Sequence, residues 1–317
     1  MNTPLWIAIL TFILAALAAW AGVRAWGSRV PITLPDSPSG DPALVRSVRM
    51  HTTQAPRTGR GPSARPEDAV PIPRLGVVSV FSPKGGSGVS TLAANLAIAV
   101  RQQRAVSVAL ADFDAQSGDA AFLLGLSCPL PPAGVAPQAQ PVMADVLAAL
   151  IEHESGIQVL PQPDRFESAE AGAPGAIGGT LDILASLFDT VIVDTPHLLS
   201  DRTLEILERS GDVLMVLEPT VPALRAARRA LAAFDRRDVA ALTGRVLVVV
   251  NRHSDAAQVS LTQIEELLGL PVFATIADDP AAVTQASNLG RPLLGAGAAR
   301  GAARDIERLA RRLVSEL

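Results

Sequence analysis

Seven short runs between Leu75 and Ile276 are apolar with little alternation: LGVVSVF, AVSVALAD, GIQVLP, TVIVD, VLMVLEP, RVLVVVN and PVFATI. A strand with one wet face alternates apolar and polar residues. Unbroken apolarity over five or six residues, rich in Val and Ile, marks strands covered on both faces. Segments with helical periodicity separate these runs, and the order β, α, β, α predicts a doubly wound α/β domain around a mostly parallel sheet. Two Pro/Gly-rich inserts, 128–141 and 161–179, read as surface loops.

The chain in front of this domain has a different character. From Leu5 to Val23 no residue carries a charge (LWIAILTFILAALAAWAGV). As a helix this run would span about 28 Å, close to the hydrocarbon thickness of a bilayer. The three tryptophans, Trp6, Trp20 and Trp26, lie at its ends or just past it, where amphipathic rings prefer the interface. A transmembrane helix within residues 1–26 is the expectation. The alternatives are a buried core helix and a cleaved signal peptide, though MNTP offers the latter no basic n-region. Arg24, Arg29, Arg46 and Arg49 follow the run, which places the bulk of the chain in the cytoplasm as a single-pass protein of the inner membrane. Residues 27–74 hold nine prolines and no periodicity, the composition of a flexible, disordered linker. The α/β domain is expected over 75–317.

Charge limits the partners. The net charge is -4, but residues 1–74 carry eight arginines against four acids, leaving 19 basic and 27 acidic groups behind them. A domain this acidic is a poor nonspecific nucleic-acid binder, because that affinity comes from neutralising phosphates, and no specific nucleic acid is expected. One cysteine, Cys128, excludes an internal disulfide, and the four histidines show no zinc spacing.

The chain's one lysine, Lys84, stands in SPKGGSGVST, between the first predicted strand and the helix TLAANLAIAV. Glycines at 85, 86 and 88 let successive N–H groups converge on one anion, backed by a helix N-terminus. Gly85, Gly86, Ser87, Gly88, Val89, Ser90 and Thr91 are thus candidate phosphate contacts, Ser90 offering its hydroxyl to Mg²⁺. Asp112 and Asp114 end the second strand and Asp194 ends TVIVD. Strand-end aspartates are also ordinary helix caps, but three of them following such a loop point to a metal and a water.

Lys-Gly-Gly-x-Gly-x-Ser/Thr resembles the deviant P-loop of the MinD/ParA ATPases. That resemblance implies a P-loop NTPase fold, ATP and Mg²⁺ as ligands, and a homodimer in which Lys84 reaches the partner's nucleotide. It assigns Asp112 and Asp114 to switch I, one near the metal and one orienting water in either order, and Asp194 to a Walker B role beside Ser90. Asn251 matches the base-recognising asparagine and IADDP, 276–280, the segment packing on adenine. Val89 stands where the family's second lysine contacts the β and γ phosphates, so hydrolysis is expected to be weak or absent, and a degenerate loop binding nothing is the contrary reading. GDAAFLLGL, TPHLLSDRTLEILERSGDVLMVLEPTVPALRAARRAL, the pair at 251–252 and VTQASNLGRPLL look like the CpaE/TadZ branch, which implies a role in Flp/Tad-type pilus assembly or localisation, with pilus or secretion proteins as partners. Three rival functions stand beside it: an inert scaffold, a polysaccharide-export kinase, disfavoured by the absence of any tyrosine, and a ParA-type partitioning ATPase. Arg225, Arg228 and Arg229 read as a solvated helix face, the alternative being a patch for an acidic partner; ARDIERLARRLVSEL reads as a helix packed on the sheet, the alternative being a membrane-targeting helix; His197 reads as a loop residue.

Overall fold

A computed structural model describes residues 76–103, 106–115, 117–127, 141–162, 175–236, 240–295 and 300–316. The expected transmembrane run 5–23 and the linker 27–74 lie outside the described residues; among those described, no helix is long and apolar enough to cross a membrane.

The strands are β1 (Gly76–Phe81), β2 (Val108–Asp112), β3 (Ile151–Glu152), β4 (Gln158–Leu160), β5 (Thr190–Asp194), β6 (Asp212–Leu217), β7 (Val246–His253) and β8 (Val272–Ala277). They form one sheet in the order β3-β4-β2-β5-β1-β6-β7-β8. Every pairing is parallel except that of β3 with β4. The helices are α1 (Val89–Gln103), α2 (Ala120–Leu123), α3 (Met143–Ala149), α4 (Ala176–Leu187), α5 (Asp201–Arg209), α6 (Val221–Arg236), α7 (Leu261–Leu268), α8 (Pro280–Asn288) and α9 (Gly301–Glu316).

The unbroken apolarity of the strands follows from cover on both sides. Val78 and Val80 of β1 pack with Leu96 of α1 and Leu309 and Leu313 of α9. On the opposite face, Phe81 joins Leu224 and Phe234 of α6, and Val77 joins Leu181 and Leu184 of α4. Burying one such Leu or Phe side chain contributes about 1.5–3 kcal/mol. The amphipathic C-terminal segment therefore serves the core, with Ile306, Leu309 and Leu313 buried against the sheet, as its periodicity predicts.

One boundary differs from expectation. The insert read as a loop over 161–179 ends in helix, because α4 already includes Gly178 and Gly179. These glycines are contact points: a Cβ on Gly178 would stand 2.4 Å from the Arg209 and Glu205 side chains, and one on Gly179 2.9 Å from the Pro141 ring. Glycine here permits close packing between elements, which a composition-based reading takes for a breaker.

The chain passes from β1 outward to β2 on one side and later to β6 on the other. The carboxyl end of β1 is thus the switch point of the sheet, where open α/β folds form a crevice. Val80 of β1 pairs with Asp194 of β5, and Asp112 of β2 with Asp194 in turn. Register alone brings two of the predicted acids to the edge of the glycine loop.

Candidate functional site

The loop between β1 and α1 is held by its carbonyls. The Lys84 carbonyl accepts from Ser82 Oγ at 3.0 Å and Ser87 Oγ at 2.9 Å. Gly86 O accepts from Arg252 Nη2 at 3.1 Å, Ser87 O from Asn251 Nδ2 at 2.8 Å, and Gly88 O from Leu92 N at 2.9 Å. The N–H groups of Gly85, Gly86 and Gly88 have no acceptor among the described residues. Gly85 and Gly86 are exposed and Gly88 is half-buried, so these open donors, converging at a helix N-terminus, stand accessible to an anion. Gly88 is required twice: its φ is +88°, and a Cβ there would lie 2.6 Å from Asn251 Nδ2.

Val89 is half-buried, packed against the core that α1 shares with α9. Lys84 is 3.5 Å from Glu218 Oε2 and remains 37% exposed at its side chain. The same Glu218 binds Arg252 through its other oxygen. Arg252 has φ +53°, a left-handed backbone rare for a side chain of this size. The His197 ring lies against the loop on another side, 3.6 Å from where a Gly85 Cβ would be.

Four aspartates gather beside the loop. Asp112 is buried and accepts from Asp114 N at 3.0 Å and from Ala120 N at 3.1 Å. Burial pushes its carboxyl up to about 7, against those two N–H groups, with the charges of Asp114 and Asp119 adding to the rise. Asp194 is fully buried with no hydrogen bond on either oxygen. Burial first, and the Asp112 charge second, hold it well above the usual carboxylate range, while the nearby Ser90 hydroxyl works the other way. Asp119 is raised too, by burial and by Asp114. A buried carboxylate that makes no hydrogen bond, next to a second acid and a serine hydroxyl, is a donor set that a divalent cation would satisfy.

The described residues hold no group of three or more His, Cys, Asp or Glu arranged as a metal cage. The donor set suits Mg²⁺ nonetheless. That ion usually takes one or two carboxylates and completes its octahedron with water and phosphate oxygens.

Beyond Gly88 a cavity of about 160 Å³ opens between the start of α1 and the β7 and β8 ends, lined by Thr91, Asn251, Ile276, Ala277, Pro280 and Ile306 among others. The expected base-contacting residues, Asn251 and 276–280, are therefore together on its wall. Apolar residues such as Leu92, Ile276 and Val283 share the lining with Asn251, Arg252 and Gly88 of the glycine loop, a mixture that suits a flat heterocycle carrying phosphates.

The profile of the family "CobQ/CobB/MinD/ParA nucleotide binding domain" matches residues 78–293. The chain belongs to this family. A relative described as an uncharacterized ATP-binding protein, from Methanocaldococcus jannaschii, is 26% identical over 226 residues, covering 68% of this chain and 79% of its own. Among solved structures, a ParA family ATPase from Chlorobium tepidum superposes with a TM-score of 0.67 at 23% identity, over 74% of this chain and 97% of that one. The septum site-determining protein MinD from Pyrococcus horikoshii, solved with Mg-ADP, gives 0.63 at 18%, over 75% and 95%. The domain therefore has the α/β, mostly parallel MinD/ParA-type P-loop NTPase fold.

Of the residues expected from the sequence, Lys84 to Thr91, Asp112, Asp114, Asp194 and Asn251 all meet around the end of β1. Asp114 lies two residues past β2 rather than within it. Asn251 does more than line the cavity, since its amide nitrogen ties down Ser87 O and its Oδ1 accepts from Arg252 N at 2.9 Å. Sequence reasoning missed Glu218, Asp119 and the contact of His197 with Gly85. Glu218 follows β6, in VLMVLEP, and the strand-end rule that selected Asp112 and Asp194 selects it equally.

Proposed function

We propose that the chain binds ATP·Mg²⁺, dimerises across that site, and acts from the membrane in assembling or localising a Flp/Tad-type pilus or secretion machine. The observation that carries the nucleotide reading is the unpaired N–H cluster at Gly85, Gly86 and Gly88 beside the orphaned Asp194 carboxylate. Anionic phosphate satisfies the first and a divalent cation the second.

Each residue has a task. The loop amides would take the phosphate oxygens, and Ser90, Asp112 and Asp194 would hold Mg²⁺ directly or through water. When bound, Mg²⁺ supplies charge neutralisation between phosphate oxygens. Asn251 and 276–280 hold the base, and Lys84 leaves Glu218 to enter the partner's site. Because Val89 provides no charge within the loop, turnover is slow or absent. The Pro-rich linker and the apolar run 5–23 support a tethered domain, and the branch-like stretches support the pilus role. Two of these, 118–126 and 283–294, pack together where Gly125 meets Gly290 O.

Titration calorimetry of the full-length chain with ATP and Mg²⁺ tests the reading, with size analysis in parallel. Binding and a nucleotide-dependent dimer are expected, with the dimer lost in Lys84→Ala and affinity reduced in Asp194→Ala. Absence of heat at millimolar ATP would leave an inert scaffold. Membrane fractionation of the full chain and of a form lacking 1–26 tests the tether, which fails if both are equally soluble. Loss of piliation on deletion of the chain tests the assembly role.

A further inference from the structure

We propose that Arg252 is a phosphate-binding residue, supplying from outside the loop the positive charge that Val89 does not supply within it; the inference rests on the nucleotide reading above. Three observations lead there. Val89 is uncharged and packs against the core behind the loop, so it gives the cradle no cation. Among the described cations, the guanidinium of Arg252 touches the loop directly, through Nη2 on Gly86 O at 3.1 Å. Its backbone lies in the left-handed region, φ +53°, a conformation that persists where surrounding contacts enforce it and that clusters at functional sites. Here those contacts are Asn251 Oδ1 on the Arg252 N–H and Glu218 on Nη1.

The guanidinium has donors to spare for an anion. Glu218 is the one carboxylate that pairs with both Lys84 and Arg252, so the two cations share a single partner there, while Asp278 and Asp279 line the adjoining cavity. The Arg252 side chain is 53% exposed, and a guanidinium carries five N–H donors in a fixed fork. Two are engaged with Glu218 and Gly86, leaving three for a ligand. The residue also borders the cavity that reaches from Gly88 to Pro280. It is therefore placed between the base site and the loop, where the phosphates of a bound nucleotide begin. An arginine at this point favours multiply charged phosphate over the uncharged nucleoside, because the fork pairs with two oxygens at once.

The test measures affinities of the full-length chain and its variants for adenosine, ATP and inorganic triphosphate by calorimetry. Arg252→Ala is expected to weaken ATP and triphosphate about 10- to 100-fold, the range of a hydrogen bond to a charged group, and adenosine less than about twofold. Arg252→Lys is expected to recover part of the loss. Arg252→Gln keeps a donor for Gly86 O without charge and is expected to behave as Ala towards triphosphate, which also keeps the comparison valid if Arg252→Ala melts early. Arg229→Ala, on the exposed side of α6, controls for net charge and is expected to match wild type. Full triphosphate affinity in Arg252→Gln, or equal losses for adenosine and ATP, would show a carbonyl clamp and overturn the proposal. Wild type and all variants binding ATP alike would overturn it while leaving the nucleotide reading intact. A wild type that binds neither ATP nor triphosphate would overturn that reading itself.

Discussion

Asp194→Asn is expected to stabilise the ligand-free protein and to abolish its stabilisation by nucleotide. At pH 8 the native state holds Asp112 and Asp194 as neighbouring buried carboxylates. The cost can be gauged from Asp112, whose carboxyl is raised from 3.8 to about 7 mainly by burial. A rise of about three units corresponds to roughly 4 kcal/mol given up when that group ionises in the fold. Asp194 is raised for the same first reason, with no donor on either oxygen. Asparagine preserves its shape and removes its charge. The amide stays buried, so the net gain is smaller, about 1–2 kcal/mol, or roughly 2–8 °C in Tm for a domain of this size.

The sign with pH follows from linkage. Both carboxyls keep their protons to higher pH in the folded than in the unfolded chain, so the native state binds more protons above about pH 4. Stability then falls as pH rises, until the folded groups have ionised, near 7 for Asp112. Thermal melts in EDTA between pH 5 and 8 should show the variant ahead of wild type at pH 8 and the gap closing at pH 5. With ATP·Mg²⁺ at about 100 times Kd the order should reverse, since wild type gains roughly 2.7 kcal/mol by mass action and the variant little. A variant less stable than wild type at pH 8 without ligand, or a gap that does not change with pH, would refute the reasoning.

Other substitutions probe separate links. Gly88→Ala places a methyl 2.6 Å from Asn251 Nδ2 at a φ of +88°, so it should cost about 1–2 kcal/mol and sharply reduce ATP affinity, both readable by melts with and without ligand. Asn95→Ala strands the N–H groups of Leu293 and Leu294, which donate to Asn95 Oδ1 at 2.7 and 3.2 Å; a loss of about 2–4 kcal/mol in urea unfolding is expected. Gly125→Ala sets a Cβ 2.6 Å from the Gly290 carbonyl oxygen, and the backbone there cannot yield as a side chain can, so a Tm drop of several degrees is expected. Leu313→Ala, in the fully buried face of α9, should cost about 2–5 kcal/mol, whereas a helix lying on a membrane instead would leave stability in solution nearly unchanged.

The local chemistry was readable because it is written contiguously. Residues 82–91 follow one strand and open one helix, so glycine spacing, hydroxyls and Lys84 predict a phosphate cradle without knowledge of any distant contact. Strand-end acids at 112 and 194 were legible for a similar reason: in a parallel sheet, all carboxyl ends lie on one edge. The glycines of α4 misled, because the packing that requires them involves Arg209 and Pro141, which are remote in sequence.

The sequence by itself determined the alternation of buried strands and helices, the position of the glycine loop and the identity of the acids near it, since hydrophobic period and turn chemistry act over a few residues. Only the tertiary structure decided the strand order, and with it which polar groups are partnered. It joined Glu218 to both Lys84 and Arg252, tied Asn251 to the loop carbonyl at Ser87, and left Asp194 without a donor. Those relations are set by the order and register in which strands far apart in the chain come together, and no local periodicity encodes them.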